Sequence, residues 1–365
     1  MKRKTEGHTL KSLPSRRRFL HAGLRVATSV ASCFSIPAFA QSCRNSRVPF
    51  FKTRGVVLTT LDLSTLDWPQ RTARAELTTI ATHVTPSEVS KFIRSDRGRG
   101  FLGQCRKIGI EVEHELHAMS DLLPRELFEK DSSMFRMNEK GERSPDFNCC
   151  VHSSKAIDII CRNTVEYANI LNPTTSRYFY WVDDGKPMCK CSRCRIYTDS
   201  EQALILENEM LKALRKVDGQ ATLAHLAYAG TMEPPVQVKP RHGIFLEFAP
   251  IGRTWSEPIT RREAQEGQHG RYLDLLDANL EVFGTEDAQV LEYWLDVSLF
   301  SSWNRQAKKK LPWRKDVFLQ DIAAYAKRGI RHVTSFAVYI DADYVRQYGE
   351  PPLDEYGKGL KDYVQ

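Results

Sequence analysis

The chain has 365 residues, with 53 lysines and arginines against 45 acids and a formal net charge of +8. Residues 1–40 hold eight of those bases and one acid, Glu6, which leaves 45 bases against 44 acids and a net charge of +1. Charge confined to a removable segment is no argument for a nucleic-acid or anionic-membrane partner, and the remaining length suits one large core.

The N-terminus reads Ser15-Arg16-Arg17-Arg18-Phe19-Leu20, then a weakly apolar run from Ala22 to Phe39 that closes on Ala38-Phe39-Ala40. Arginines ahead of a modest apolar run and a small-x-small cleavage site form a twin-arginine signal peptide over residues 1–40, and the run is too short to span a bilayer. The mature protein is expected to begin near Gln41, in the periplasm or outside the cell, with the twin-arginine translocation machinery as its partner during export. No later apolar run is long enough for a transmembrane helix, so no membrane partner is expected once the signal is removed. Export of an already folded chain also means that the nine cysteines, one of them Cys33 in the signal, need not be disulfides.

From Gly55 onward, short β-branched or apolar runs alternate with longer amphipathic ones, the pattern of repeated βα units. Strands are predicted at Gly55 to Thr60, Leu77 to Val84, Ile110 to Met119, Arg177 to Asp184, Thr222 to Gly230, Ile244 to Gly252, Ala288 to Asp296 and His332 to Asp341. Helices are predicted from the Thr85-Pro86 cap to about Lys107, and at Ser153 to Leu171, Ser200 to Val217, Arg271 to Phe283 and Asp316 to Lys327. Eight strands close a (β/α)8 TIM barrel, expected as one domain over residues 41–365. The rival is an open doubly wound sheet, but a G-x-G-x-x-G turn is absent.

In a barrel the chemistry sits at the carboxyl ends of the strands, and alternation selects the inward side chains. The third strand is expected to point Glu111, Glu113, Glu115 and His117 one way, and the sixth to point Phe245 and Glu247 inward. The seventh is expected to point Glu292, Trp294 and Asp296 inward, with Leu291, Tyr293 and Leu295 toward the helices. In Glu113-His114-Glu115-Leu116-His117 the H-E-x-x-H spacing of a helical metal site is missing, so Glu115 and His117 are expected to contact substrate hydroxyls or to join a buried polar network.

Tyr178-Phe179-Tyr180-Trp181-Val182-Asp183-Asp184-Gly185 is an aromatic strand ending in two adjacent carboxylates. Crowded acids raise one pKa, as a general acid requires; the alternative is a helix cap or loop anchor. Glycoside hydrolysis needs a proton donor and a second carboxylate, ~5 Å apart for retention or ~6.5–9.5 Å for inversion. Glu247, Glu292 and Asp296 are the candidates to partner Asp184. Sugar sites add aromatic platforms, and Trp68, Tyr228, Trp255, Tyr293, Trp294 and Tyr339 fall near predicted strand ends, with Trp294 the favoured platform.

Three cysteines follow the acidic pair as Cys189-x-Cys191-x-x-Cys194, and Cys149-Cys150-x-His152 lies one helix earlier. A structural zinc site on Cys189, Cys191, Cys194 and Cys150 and a set of disulfides are both compatible with this spacing. Neither would take part in the chemistry, and no catalytic cofactor is expected.

Trp181-Val182-Asp183-Asp184-Gly185, the three-cysteine cluster, Asp199-Ser200-Glu201-Gln202, Leu223-Ala224-His225-Leu226-Ala227-Tyr228, Pro234-Pro235-Val236-Gln237-Val238-Lys239-Pro240 and Phe248-Ala249-Pro250 together resemble the domain-of-unknown-function 4838 family of glycoside-hydrolase-like barrels. A more distant likeness is to glycosidase barrels of families 20 and 84, which act on N-acetyl sugars with an acidic pair after the fourth strand. That likeness implies that Asp183 orients the acetamido group and that Asp184 is the general acid. The function expected is an exported glycosidase acting on a glycan, with a non-catalytic glycan-binding barrel as the alternative.

Overall fold

A computed structural model describes residues 48–264 and 268–364. The signal segment 1–40 and the cleavage site before Gln41 lie outside these residues.

In chain order the elements are β1 (Thr53–Thr59), α1 (Thr60–Leu63), α2 (Trp68–Arg74), β2 (Thr79–His83), α3 (Pro86–Arg94), α4 (Asp96–Ile108), β3 (Glu111–His117), α5 (Met119–Leu122), α6 (Ser154–Leu171) and β4 (Arg177–Trp181). Then come α7 (Asp199–Leu214), β5 (Thr222–Ala227), β6 (Ile244–Phe248), α8 (His269–Phe283), β7 (Gln289–Glu292), α9 (Val297–Phe300), α10 (Lys315–Lys327), β8 (His332–Phe336), α11 (Ala342–Tyr348) and α12 (Leu353–Asp362). The eight strands are parallel and close in sequence order, β1 pairing with β8 from Thr53↔His332 to Val57↔Phe336. That closing pair makes the fold a (β/α)8 barrel and removes the open-sheet alternative.

Each predicted strand is present, but most are too long at the carboxyl end. The residues beyond each ladder, such as Ala337, Val338 and Ile340 after β8, stay buried while the backbone leaves the sheet. The predicted helix from Pro86 breaks at Ser95, which caps α4 through its side chain to the Gly98 amide. A Cβ at Gly98 would lie 2.0 Å from the Phe92 carbonyl, so the two helices meet there only because the residue has no side chain.

The barrel interior below the mouth holds a polar stack among apolar side chains. Arg177 on β4 lies 3.4 Å from Glu113 and donates to Gln289 Oε1 at 2.9 Å. The Gln289 amide then donates to Glu115 at 3.1 Å and Glu247 at 3.0 Å. Burial raises all three carboxyls, Glu247 to about 8.

Strands β3 and β6 point their side chains as alternation predicts; β7 does the reverse. Leu291 and Tyr293 join Val57, Phe179 and Phe245 inside the barrel. Glu292 and Trp294 face the helices, where Arg253 and Asp321 compensate their polar groups. The strand carries apolar and polar residues on both sides, and the outward face is set by Arg253, which arrives from the β6–α8 loop. Among the described residues no helix is long and apolar enough to cross a membrane.

Candidate active site

A cavity of about 260 Å³ opens at the carboxyl ends of the strands. Its lining includes Trp181, His83, His117, Asp184, Tyr228 and Asp296, with Tyr293, Phe336, Trp303 and Tyr339 as further aromatic walls. Trp181 separates it from the polar stack, because the indole N–H donates to Glu247 Oε2 at 2.8 Å. Glu247 and Glu115 are both fully buried on the far side of that ring. The expectation that Glu247 is catalytic is therefore corrected, since it sits one layer too deep to line the cavity; of the two alternatives for Glu115, contact with substrate is corrected for the same reason and the buried polar network is what the structure has.

Two imidazoles share the mouth. His83 on β2 and His117 on β3 lie 5.8 Å apart between ring centroids, and each contacts Trp181. A carbonyl can only accept, so His83 Nδ1 donates to the Glu115 carbonyl at 2.7 Å and His117 Nδ1 donates to that of Val182 at 2.8 Å. Burial lowers both pKa values, that of His83 to about 4. At neutral pH both rings are uncharged and present Nε2 as an acceptor, which suits hydroxyl donors.

The adjacent acids after β4 point apart. Asp183 accepts from Arg125 Nη2 at 2.9 Å and from the Asn148 amide at 2.6 Å, while its own amide donates to the Asn148 side chain at 2.8 Å. It anchors the loop and does not line the main cavity, which corrects its role as an orienting residue for substrate. Asp184 lines the cavity together with Tyr228, its side chain 63% exposed and 3.9 Å from His117 Nε2. Asp183 is thus paired with a cation, Arg125, whereas Asp184 faces the cavity.

Asp296, beyond β7, is the other acid among the described lining residues. One oxygen accepts from the Ser298 amide at 2.9 Å and hydroxyl at 2.6 Å, capping α9. Burial raises its pKa to about 6. Tyr339 holds a left-handed backbone (φ 70°), its amide tied to Asp62 and its hydroxyl to the Trp303 carbonyl at 3.0 Å. Strain of this kind persists where surrounding contacts over-determine it, and here it fixes the aromatic rim.

Three further expectations are corrected. Glu292 is fully buried behind β7, paired with Arg253 at 2.9 Å and bonded by the Tyr325 hydroxyl, so it is no nucleophile for this cavity. Trp294 packs on Phe318, Tyr325 and Tyr356 and donates to Asp321 at 3.0 Å; it is no sugar platform. Trp68 opens α2 as a fully buried core residue. His83 was not singled out from the sequence, although alternation from Thr79 and Ala81 places it inward at the end of β2.

Away from the cavity, the Sγ atoms of Cys150, Cys189, Cys191 and Cys194 lie within 4.8 Å of one another, all buried and unpaired. Neither Cys149 nor His152 belongs to this group; the His152 ring packs on Tyr197.

Comparison with known proteins is consistent with the geometry. A family model described as a domain of unknown function (DUF4838) matches residues 38–301. No curated protein matches the chain. Among solved structures, the β-N-acetylhexosaminidase from Bacteroides fragilis NCTC 9343 superposes with a TM-score of 0.51 at 11% identity, covering 86% of this chain and 66% of that one. Endo-glycoceramidase II from Rhodococcus sp. gives 0.49 at 11% identity, covering 78% and 73%. A psychrophilic family 10 endo-β-1,4-xylanase gives 0.47 at 12%, covering 86% and 97%. At such identities the likeness concerns the barrel fold alone.

Proposed function

Since the chain belongs to the DUF4838 family and its described residues close into a barrel with an acid-lined mouth, we propose that it is an exported glycoside hydrolase with Asp184 as proton donor. The observation that carries this reading is the meeting of Asp184 and Asp296 at one cavity walled by aromatic rings and neutral imidazoles. Aromatic faces stack on the apolar side of a sugar, and His83 and His117 accept from its hydroxyls. Asp184 gives its proton to the glycosidic oxygen as the bond to the anomeric carbon breaks. Asp296 is the second carboxylate, acting at that carbon or on the incoming water.

Asp183 has no substrate contact in this reading, so a preference for N-acetylated sugars is not part of the proposal. No cofactor enters the proposed chemistry. Export through the twin-arginine machinery belongs to the same proposal, and replacing Arg16, Arg17 and Arg18 together by Lys should leave the protein in the cytoplasm.

The test is a screen of the purified mature chain against chromogenic glycosides and polysaccharides. Hydrolysis lost in Asp184→Asn supports the proposal. Saturable glycan binding without hydrolysis would replace it by the binding-only barrel.

A further inference from the structure

The cysteine cluster joins two loops at the mouth end of the barrel: Cys150 precedes α6, and Cys189, Cys191 and Cys194 lie between β4 and α7. Cys150 Sγ is 3.9 Å from Cys191 Sγ and 3.8 Å from Cys194 Sγ. A tetrahedral ion with ~2.3 Å bonds to sulfur has ligand edges of ~3.8 Å, so these two pairs stand at the spacing that zinc requires, and all four sulfurs lie within 4.8 Å of one another. Thiolates are soft ligands that select zinc over magnesium or calcium.

The surroundings are built for such a site. The Met137 amide donates to Cys189 Sγ at 3.3 Å, and Arg143 Nη1 lies 3.9 Å from the same sulfur, where it offsets the excess negative charge of a tetrathiolate. Gln202 on α7 holds the loop from outside. Its side chain accepts from the Cys189 amide at 3.2 Å and donates to the carbonyls of Cys189 at 3.2 Å and Cys194 at 3.3 Å.

One of the two loops also grips the acid-bearing segment. Asn148, two residues before Cys150, holds Asp183 through the two bonds described above and donates to the carbonyls of Lys186 at 3.2 Å and Pro187 at 3.1 Å. Asp184 therefore lies on a stretch fixed at one end by Asn148 and at the other by Cys189.

We infer that Cys150, Cys189, Cys191 and Cys194 bind one zinc ion, and that this ion holds Asp184 in place at the cavity. With four protein ligands the ion has no open position, so it positions and does not react. The positioning half rests on Asp184 being the acid; the metal half does not.

The full mature chain should carry about one zinc by elemental analysis. Its cobalt-substituted form should show the intense visible bands of a tetrahedral thiolate site. Cys191→Ser should lose the metal, and Cys161→Ser, outside the cluster, should keep it. Cysteines found in disulfides by mass spectrometry, with no stoichiometric metal, would overturn the site.

For positioning, zinc is removed under reducing conditions, and circular dichroism confirms that the barrel persists. The kcat on poor leaving groups should then drop roughly 10²-fold or more, with activated aryl glycosides affected far less and KM little changed, as in Asp184→Asn. Equal loss on both substrates, or no loss, would overturn the positioning role. If no glycoside is cleaved, the metal measurements still decide the site, and faster hydrogen exchange over residues 183–189 on zinc removal decides the positioning.

Discussion

The cavity at the barrel mouth and the ionic cluster behind β7 are made of the same residue types and differ in what faces their acids. Behind the strand, Glu292 and Asp321 enclose Arg253 at 2.9 and 2.7 Å, and Tyr325 and Trp294 fill the remaining acceptor positions. In the cavity, Asp184 and Asp296 have no such cation: a neutral imidazole stands beside the first and the Ser298 hydroxyl bonds the second. A carboxylate matched by a buried cation is committed to the fold, whereas one that faces open space without a counter-charge is free to exchange a proton.

The sharpest way to break this contrast is to change one acid or cation in each region. Asp184→Asn should lower kcat/KM by ~10²–10⁴-fold on substrates with poor leaving groups, since positioned proton transfer is worth that much. Its melting temperature should stay at the wild-type value, because the side chain is largely exposed. Arg253→Met should do the opposite. Two buried acids lose their cation at a cost of about 3–5 kcal/mol, read as a shift of the urea unfolding midpoint. Unfolding unchanged in Arg253→Met would show that the cluster is not the lock described.

Trp294→Phe is a milder probe. It keeps an aromatic ring in the helix layer and leaves Asp321 short of one donor, for about 1–3 kcal/mol of stability and unchanged KM. A raised KM with unchanged stability would return Trp294 to the sugar site.

The smallest expected effect is a pH dependence. The folded-state pKa of Asp296 is raised by burial to about 6 from 3.8, so its stabilising contribution is complete below about pH 4 and is lost as pH rises through 6. In Asp296→Asn, which keeps the helix cap, that slope should flatten. If Asp296 acts as the ionised partner, kcat/KM should fall on the acid side of about pH 6 in the wild type. Stability is then given up over the same interval in which activity appears, and an acid limb located elsewhere would remove Asp296 from the reaction.

Much of the fold was legible because its periods are local. The strands, the Thr85-Pro86 cap and the inward faces of β3 and β6 follow from alternation and capping chemistry. The grouping of Cys150 with Cys189, Cys191 and Cys194 also follows, since loops at the same end of a barrel meet. Alternation failed on β7, which is four residues long and mixed in character on both faces.

Residue types and spacing thus determined the barrel, the end at which its chemistry would lie and the cysteines that gather there. Which acids reach the cavity was decided only in three dimensions. Asp183 is withdrawn by Arg125 and Asn148, Glu292 by Arg253, and Glu115 and Glu247 are covered by Trp181. Each of those partners is distant in sequence, and a carboxylate is directed by the nearest cation or donor, which no local pattern encodes.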